Sequence, residues 1–182
     1  MPIEIEKKYR LTNEQREQVL ALLASLKARS SDAVFEVNTI YRSAVLEADR
    51  AILRLRRIGD RSLLTYKKRF ESSSSIKRQL EEETEVADGD AMASILLRLG
   101  FTPTLVYEKR RSTWKYKETE IVVDELPFGQ FMEIEGTEEQ IQKVEQELGV
   151  ADLPAEEATY VGLTHKHGVR NGDVIEARFK RE

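Results

Sequence analysis

The 182-residue sequence contains no cysteine and only two histidines. Without cysteine the chain forms no disulfide bond, uses no thiol nucleophile and binds no zinc through thiolates. It also lacks any apolar run near the roughly 20 residues that a membrane-spanning helix requires. Its first residues contain no apolar segment typical of a secretory signal. These absences predict a cytoplasmic protein with no membrane partner.

A large excess of charge of one sign is missing as well. The 29 Lys and Arg residues nearly balance the 33 Asp and Glu residues, which leaves a net charge of −4. Proteins that bind nucleic-acid polymers usually carry clustered positive charge, so we expect no such partner. Leu, Ile and Val recur throughout, which argues against an acidic disordered chain. The length fits a single domain with a substantial hydrophobic core.

Three amphipathic helices are predicted from apolar residues at helical spacing and from their end signals. They follow Thr12, start near Asp88 and follow Thr137. In the first and third, a Gln three residues after the Thr completes a capping box. Gly100 and Gly149 are predicted to end the second and third helices.

Between the helices the apolar period changes to two, which predicts β-strands. Runs of strands separated by single helices favour an antiparallel or mixed α+β sheet or barrel. The segment Ser72–Ser75 is predicted to be a flexible loop. A shorter helix is predicted after Pro154, ending by Gly168. The predicted strands lie near residues 3–10, 35–44, 51–58, 62–70, 77–87, 104–111, 113–118, 120–125 and 130–136.

Charged residues of the same sign repeat at a spacing of two along these strands. Because alternate residues of a strand share a face, each such pair lies on one side of the sheet. The acidic positions are Glu4, Glu6, Glu83, Glu85, Asp124, Glu133 and Glu135. The basic positions are Lys8, Arg54, Arg56, Lys67, Lys109 and Arg111.

Two interpretations of these faces are open. For any single strand, an ordinary solvent-exposed face is the simpler one. However, exposed faces usually mix signs to avoid repulsion, and three helices also need an apolar surface to cover. If the helices cover the outside of a closed barrel, the charged faces point into its lumen, where they must be paired or bound to ligands.

The two charge sets predict different ligands for such a lumen. Carboxylates are hard oxygen donors that suit Mg²⁺ or Mn²⁺. Arginine and lysine suit phosphate, and arginine can contact it through two parallel hydrogen bonds. A site with divalent cations and several phosphate-binding side chains is typical of a polyphosphate substrate.

Ordered motifs along the chain resemble those of the CYTH superfamily, the triphosphate tunnel metalloenzymes. This superfamily includes class IV adenylyl cyclases, thiamine triphosphatases and inorganic triphosphatases. The resemblance covers residues 3 to about 165 and begins with the E-x-E-x-K strand Glu4-Ile5-Glu6-Lys7-Lys8. The later motifs are Leu53-Arg54-Leu55-Arg56, Leu64-Thr65-Tyr66-Lys67, Glu83-Thr84-Glu85, Lys109-Arg110-Arg111, Val123-Asp124 and Phe131-Met132-Glu133-Ile134-Glu135.

The resemblance implies a tunnel domain over residues 1–168, followed by a C-terminal tail over residues 169–182. The implied fold is α+β, an antiparallel eight-stranded β-barrel whose lumen is charged and whose amphipathic helices pack outside. A homodimer is one arrangement that it allows.

The resemblance also implies roles for single residues. Tyr41 is expected either to help Lys8 orient water or to pack in the core. The implied catalytic residues are Lys8, Glu4, Glu6 and Tyr41. The implied ligands of Mg²⁺ or Mn²⁺ are Glu4, Glu6, Asp124, Glu133 and Glu135. The implied substrate-binding residues are Lys8, Arg54, Arg56, Lys67, Lys109, Arg111, Glu83 and Glu85. The two glutamates are expected to support the metal or the basic side chains, and the crowded run leaves open which of Glu81, Glu82, Glu83 and Glu85 face the lumen.

Three functions follow from this pattern. The favoured one is metal-dependent hydrolysis of inorganic triphosphate, thiamine triphosphate or a nucleoside triphosphate. The alternative is a class IV adenylyl cyclase that converts ATP to cyclic AMP and pyrophosphate. The third is a polyphosphate-binding module without catalytic activity.

Overall fold

The computed structural model describes residues 3–70 and 75–181 and contains eleven strands and five helices within them. The predicted loop at residues 72–75 therefore lies, apart from Ser75, outside the described residues. The helices are α1 (Asn13–Ser25), α2 (Ala44–Ala48), α3 (Gly89–Arg98), α4 (Glu138–Glu147) and α5 (Tyr160–His167). The strands are β1 (Ile3–Leu11), β2 (Arg29–Ser30), β3 (Val34–Arg42), β4 (Ala51–Ile58), β5 (Arg61–Arg69), β6 (Lys77–Val86), β7 (Thr102–Tyr116), β8 (Thr119–Leu126), β9 (Gly129–Glu135), β10 (Val169–Asn171) and β11 (Val174–Ala177).

Eight of these strands form a closed antiparallel barrel. Their order around it is β7-β3-β4-β5-β6-β1-β9-β8, and the pairing of β8 with β7 closes the ring. Strand β7 makes this closure possible because it is 15 residues long. Its residues 102–111 pair with β3 and its residues 110–116 pair with β8, so the two ladders overlap at Arg110 and Arg111. The predicted eight-stranded α+β barrel is confirmed.

The main differences from the predicted elements occur at β7 and before α5. The predicted strands at 104–111 and 113–118 are one strand, because the ladder with β8 continues through Ser112. Helix α5 starts at Tyr160 rather than just after Pro154. The residues between Pro154 and Tyr160 run beside β1 instead, where Ala155 forms a bridge with Tyr9.

The residues after α5 add a small hairpin to the sheet. Strand β10 pairs with β11, and β11 lies parallel to β7 at Ile175↔Leu105. Farther along, the Arg178 guanidinium donates to the Glu108 carboxylate over 3.0 Å, and the Phe179 amide donates to it over 2.9 Å. The segment predicted as a C-terminal tail is therefore attached to the barrel through β7.

The helices pack on the apolar outer face of the barrel. Helix α3 covers β3, β4 and β5 through a buried cluster of Tyr41, Leu55 and Leu96. Helices α1 and α4 cover β1, β8 and β9. The buried residues on those strands are Tyr9, Leu11, Ile121, Val123, Met132 and Ile134, and those on the helices are Val19, Leu23, Ile141, Val144 and Leu148.

The helix ends follow the predicted signals. Both capping boxes are present, at Thr12 with Gln15 and at Thr137 with Gln140. Gly149 follows α4 with a φ of +65°, a left-handed conformation that glycine adopts without steric cost. Within the described part of the chain, no helix is long and apolar enough to cross a membrane.

One polar contact lies between α4 and the barrel wall. The carboxylate of Glu145, which is nearly buried, accepts from Lys7 Nζ over 2.7 Å and also from the Tyr9 hydroxyl. Glu145→Ala would leave both donors without their partner in a poorly hydrated place. We expect a loss of about 2–4 kcal/mol in the free energy of unfolding, measured by urea denaturation.

Lys143→Ala is the matched control on the same helix. Lys143 forms an exposed pair with Glu139 at i,i+4, which contributes little in water. Its loss should leave the urea midpoint unchanged within error. Equal midpoints for the two variants would contradict a stabilising role for the Glu145 contacts.

Candidate functional site

The barrel encloses a cavity of about 610 Å³ whose wall is densely charged. It brings together most of the predicted site residues from six different strands. The predicted residues that line it are Glu4, Glu6, Lys8, Arg54, Arg56, Lys67, Glu83, Lys109, Arg111, Glu133 and Glu135. The alternation of charged and apolar residues thus places charge inside and apolar side chains under the helices.

Four carboxylates lie on the adjoining strands β1 and β9. Glu6 is directly opposite Glu135 in the ladder, and Lys8 is opposite Glu133. Glu4 precedes Glu6 on the same face of β1. The register of this one strand pair therefore gathers all four glutamates that were predicted to bind metal.

This acidic group has more negative charge than its neighbours neutralise. Burial and the charges of Glu133 and Glu4 raise the pKa of Glu6 to about 7. Burial and the charges of Glu4 and Glu120 raise the pKa of Glu135 to about 7. A divalent cation would relieve this repulsion, so the donor chemistry fits the predicted Mg²⁺ or Mn²⁺. In the described ranges, however, no three acidic or histidine side chains already converge as a coordination group.

Glu4 also belongs to a mixed cluster at one side of the cavity. Its carboxylate accepts from Lys67 Nζ over 3.0 Å and from Gln79 over 2.7 Å. Burial opposes ionisation, but hydrogen bonds with Glu81 and Lys67 lower the pKa of Glu4 to about 2. Burial and the hydrogen bond with Glu4 raise the pKa of Glu81 to about 7. Lys67 contacts both carboxylates.

The opposite wall carries an alternating chain of cations and carboxylates. Arg111 donates to Asp124 through two hydrogen bonds of 2.8 and 2.6 Å, and it also donates to Glu133 over 2.9 Å. Lys109 lies 3.3 Å from Asp124 and 3.4 Å from Glu36. Arg56 lies 3.6 Å from Glu36. This chain fixes three cations in the cavity wall.

Asp124 differs from its predicted role as a metal ligand. Its side chain is 0% exposed and does not line the cavity. Arg111, Lys109 and the Tyr160 hydroxyl occupy its oxygens. Burial opposes ionisation, but the charges of Arg111 and Lys109 hold the pKa of Asp124 well below its usual range. In this structure Asp124 orients the cations.

Two more predicted site residues lie elsewhere. Tyr41 points to the outer face and packs under α3, because it is out of phase with the lumen-facing residues Glu36 and Asn38. The prediction that it helps Lys8 is therefore wrong, and its alternative as a core residue is correct. Glu85 lies near the end of β6, where it pairs with exposed Arg61 and not with the cavity.

The charged cavity residues that sequence reasoning did not assign are Arg50, Arg69, Lys77, Glu81 and Glu120. Glu81 has the same strand phase as Glu83 and could have been found from it. Its contacts are a salt bridge to Lys67 and a 3.7 Å approach to Arg54. Lys77 is buried 3.8 Å from Glu6, again in the same phase on β6.

Glu36, which sequence reasoning also missed, does not line the cavity but contacts two cations that do. Its side chain is 1% exposed between Lys109 and Arg56. Burial opposes ionisation, but these two cations lower the pKa of Glu36 to about 2. Asn38 lies two residues after Glu36 and therefore on the same face of β3. These two polar residues are the signal by which the sequence could have indicated an inward face. Glu36 thus neutralises part of the positive charge of Arg56 and Lys109, which would otherwise be available to a bound anion.

Lys8 has a different environment from the other cations. Its side chain is 1% exposed, and its ammonium donates to the Ala158 carbonyl. The same ammonium lies 4.3 Å from the centre of the Tyr160 ring. Burial lowers the pKa of Lys8 to about 8, although the charge of Glu133 opposes this.

Comparison with known proteins identifies the family. Residues 2–151 match the CYTH domain, so the chain belongs to the CYTH family. None of the curated proteins compared with the chain matches it.

Solved structures share the fold. The PH1012 protein from Pyrococcus horikoshii is 24% identical, with a TM-score of 0.76 over 87% of this chain and 97% of that one. A "putative adenylate cyclase" from Vibrio parahaemolyticus is 21% identical, with a TM-score of 0.73 over 87% of this chain and 95% of that one. A "putative adenylyl cyclase" from Hippeastrum, described as having a dominant triphosphatase activity, is 21% identical, with a TM-score of 0.69 over 90% of this chain and 95% of that one.

The position of Glu36 allows a test of the alternating chain of cations and carboxylates. Glu36→Gln removes a buried negative charge and leaves Arg56 and Lys109 less neutralised. We expect the free energy of unfolding to fall by about 1–3 kcal/mol. We also expect tripolyphosphate, used as a small polyanion, to bind roughly three- to tenfold more tightly, by about 1 kcal/mol. Urea denaturation and calorimetric titration measure the two effects.

Glu85→Gln is the control, because it removes the same charge from the same barrel outside the cavity. It should change neither the urea midpoint nor the affinity for tripolyphosphate. An affinity gain for Glu85→Gln as large as that for Glu36→Gln would show that only net charge matters.

Proposed function

We propose that this protein is a divalent-metal-dependent phosphohydrolase that acts on a small triphosphate inside the barrel. The observation that carries this proposal is a group of four adjoining glutamates that shares one cavity of about 610 Å³ with several lysines and arginines. The glutamates lie on the two adjoining strands β1 and β9, and the lysines and arginines come from β1, β4, β5, β6 and β7. Such an arrangement suits a metal ion and a polyphosphate bound side by side.

The basic residues would bind and orient the phosphate groups. Arg54 approaches Glu81 and Glu83 at 3.7 and 3.6 Å, and it donates to the Thr65 hydroxyl over 3.3 Å. These partners hold its guanidinium toward the cavity. Arg111 is held in the same way by two hydrogen bonds to Asp124. Fixed guanidinium groups bind phosphate oxygens with little loss of side-chain entropy.

Glu4, Glu6, Glu133 and Glu135 would hold Mg²⁺ or Mn²⁺. When bound, the ion would supply positive charge to phosphate oxygens and lower the pKa of a coordinated water. The raised pKa values of Glu6 and Glu135 support this assignment, because uncompensated negative charge is what a cation would remove.

A class IV adenylyl cyclase is the second candidate. It would use the same cations and metal, with the ribose 3′-hydroxyl of ATP as the nucleophile. The Vibrio and Hippeastrum proteins are described as putative adenylate or adenylyl cyclases, and the dominant activity described for the Hippeastrum protein is triphosphatase. This description favours hydrolysis, and inorganic triphosphate, thiamine triphosphate and nucleoside triphosphates are its candidate substrates.

One incubation series distinguishes these functions. The protein is supplied with tripolyphosphate, thiamine triphosphate or ATP and with Mg²⁺ or Mn²⁺, and phosphate, pyrophosphate and cyclic AMP are quantified. We expect phosphate from at least one substrate and no reaction when EDTA is present. Cyclic AMP as the main product from ATP would establish the cyclase instead. Tight binding without any product would indicate a module that only binds polyphosphate.

The metal assignment is tested by Glu133→Gln. We expect phosphate release to fall by at least about 100-fold, because a ligand charge is lost where the reacting phosphate is activated. Circular dichroism should show an unchanged fold. The matched control is Glu125→Gln on β8, whose side chain pairs with Arg110 outside the cavity and should retain activity. Full turnover by Glu133→Gln would remove Glu133 from the metal site.

A further inference from the structure

Part of the cavity wall is built by residues beyond the CYTH match, which ends at residue 151. Thr159, Tyr160 and Val161, at the start of α5, line the cavity. The segment before them is fastened to β1 at two points. Ala155 bridges Tyr9, and the Glu156 amide donates to the Lys8 carbonyl over 2.7 Å. Tyr160 is thus held in place from both its helix and the barrel wall.

The Tyr160 side chain lies at the meeting point of three charged groups. Its ring centre is 4.3 Å from Lys8 Nζ and 5.4 Å from Lys109 Nζ. Its hydroxyl donates to Asp124 over 2.9 Å. Phe131 packs edge-on against the ring with centroids 5.5 Å apart, which fixes its orientation. The side chain is only 9% exposed.

Lys8 is the cation for which this contact matters most. The cations at Arg54, Arg56, Lys67, Lys109 and Arg111 each have a carboxylate within 4.0 Å. Across residues 3–70 and 75–181, no carboxylate lies within that distance of Lys8 Nζ. Its close partners are the Ala158 carbonyl and the Tyr160 ring.

Partners of this kind hold an ammonium group without neutralising it. The face of an aromatic ring attracts a cation through its quadrupole but carries no net charge. A carboxylate in the same place would compete with phosphate for the ammonium. A buried lysine held by a ring and a carbonyl therefore has no carboxylate partner that an incoming anion must displace.

We propose that Tyr160 is a positioning residue that holds Lys8 as an uncompensated cation for a phosphate group of the substrate. This inference rests on the proposed function only for the identity of the anion. It makes the segment around α5 part of the binding site and not only a cover for the barrel. The Tyr160 hydroxyl, through Asp124, also ties Lys8 to the cation chain of Arg111 and Lys109.

The test measures binding of tripolyphosphate by calorimetry in EDTA, so that neither metal nor turnover is required. Removing the ring in Tyr160→Leu should weaken binding by roughly 3- to 30-fold, the range of a partly to fully buried cation–π contact. Tyr160→Phe keeps the ring and should stay within about threefold of the wild type. Tyr160→Met replaces the leucine variant if that variant does not fold.

Two comparisons separate positioning from packing. Leu163→Ala removes apolar packing from the same buried cluster without touching a lysine, and it should leave affinity unchanged at equal folded fraction. In a Lys8→Met background, Tyr160→Leu should cause little further loss, because its effect acts through Lys8. An undiminished loss in that background, or an equal loss in Leu163→Ala, would overturn the inference. A wild-type protein that binds tripolyphosphate but never hydrolyses it would refute the proposed function and leave this inference standing.

Discussion

The interior of the barrel holds charged side chains that are almost completely removed from water. Lys109 and Asp124 are 1% and 0% exposed, and removing such groups from water costs several kcal/mol each unless they are paired. The barrel meets this cost by alternating signs along one wall, from Arg56 through Glu36 and Lys109 to Asp124. The fold can tolerate this interior only because the apolar contacts that stabilise it lie outside, under α1, α3 and α4.

Closure of the barrel encloses the charged strand faces in one cavity. Strand β7 pairs with β3 along most of its length and with β8 near its end, so Lys109 and Arg111 lie where the two ladders meet. In an open sheet the same residues would face water, and their interactions would be weak. Enclosure lowers the local dielectric constant and strengthens each ion pair, and it would strengthen the contacts of the proposed phosphate ligand in the same way.

The strand period predicted which face each charge occupies, but not how far along the strand the cavity extends. Glu83 and Glu85 share a face, yet only Glu83 lines the cavity, because Glu85 lies closer to the end of β6. Asp124 has the correct phase, but its partners on β7 and α5 come from pairings that no local pattern encodes. Tyr160 could not be found at all, since its segment has no strand period and meets β1 only in the folded chain.

The cavity keeps two neighbouring charges of opposite sign from pairing with each other. Glu6 and Lys8 are two residues apart on the same face of β1, yet the Lys8 ammonium turns to Ala158 and Tyr160. Glu6 is left 3.8 Å from Lys77, among other carboxylates. Pairing Glu6 with Lys8 would be the simplest way to stabilise both. A fold that keeps them apart leaves Lys8 without a carboxylate partner and Glu6 among other carboxylates, which is the arrangement that the proposed binding of a metal ion beside a triphosphate requires.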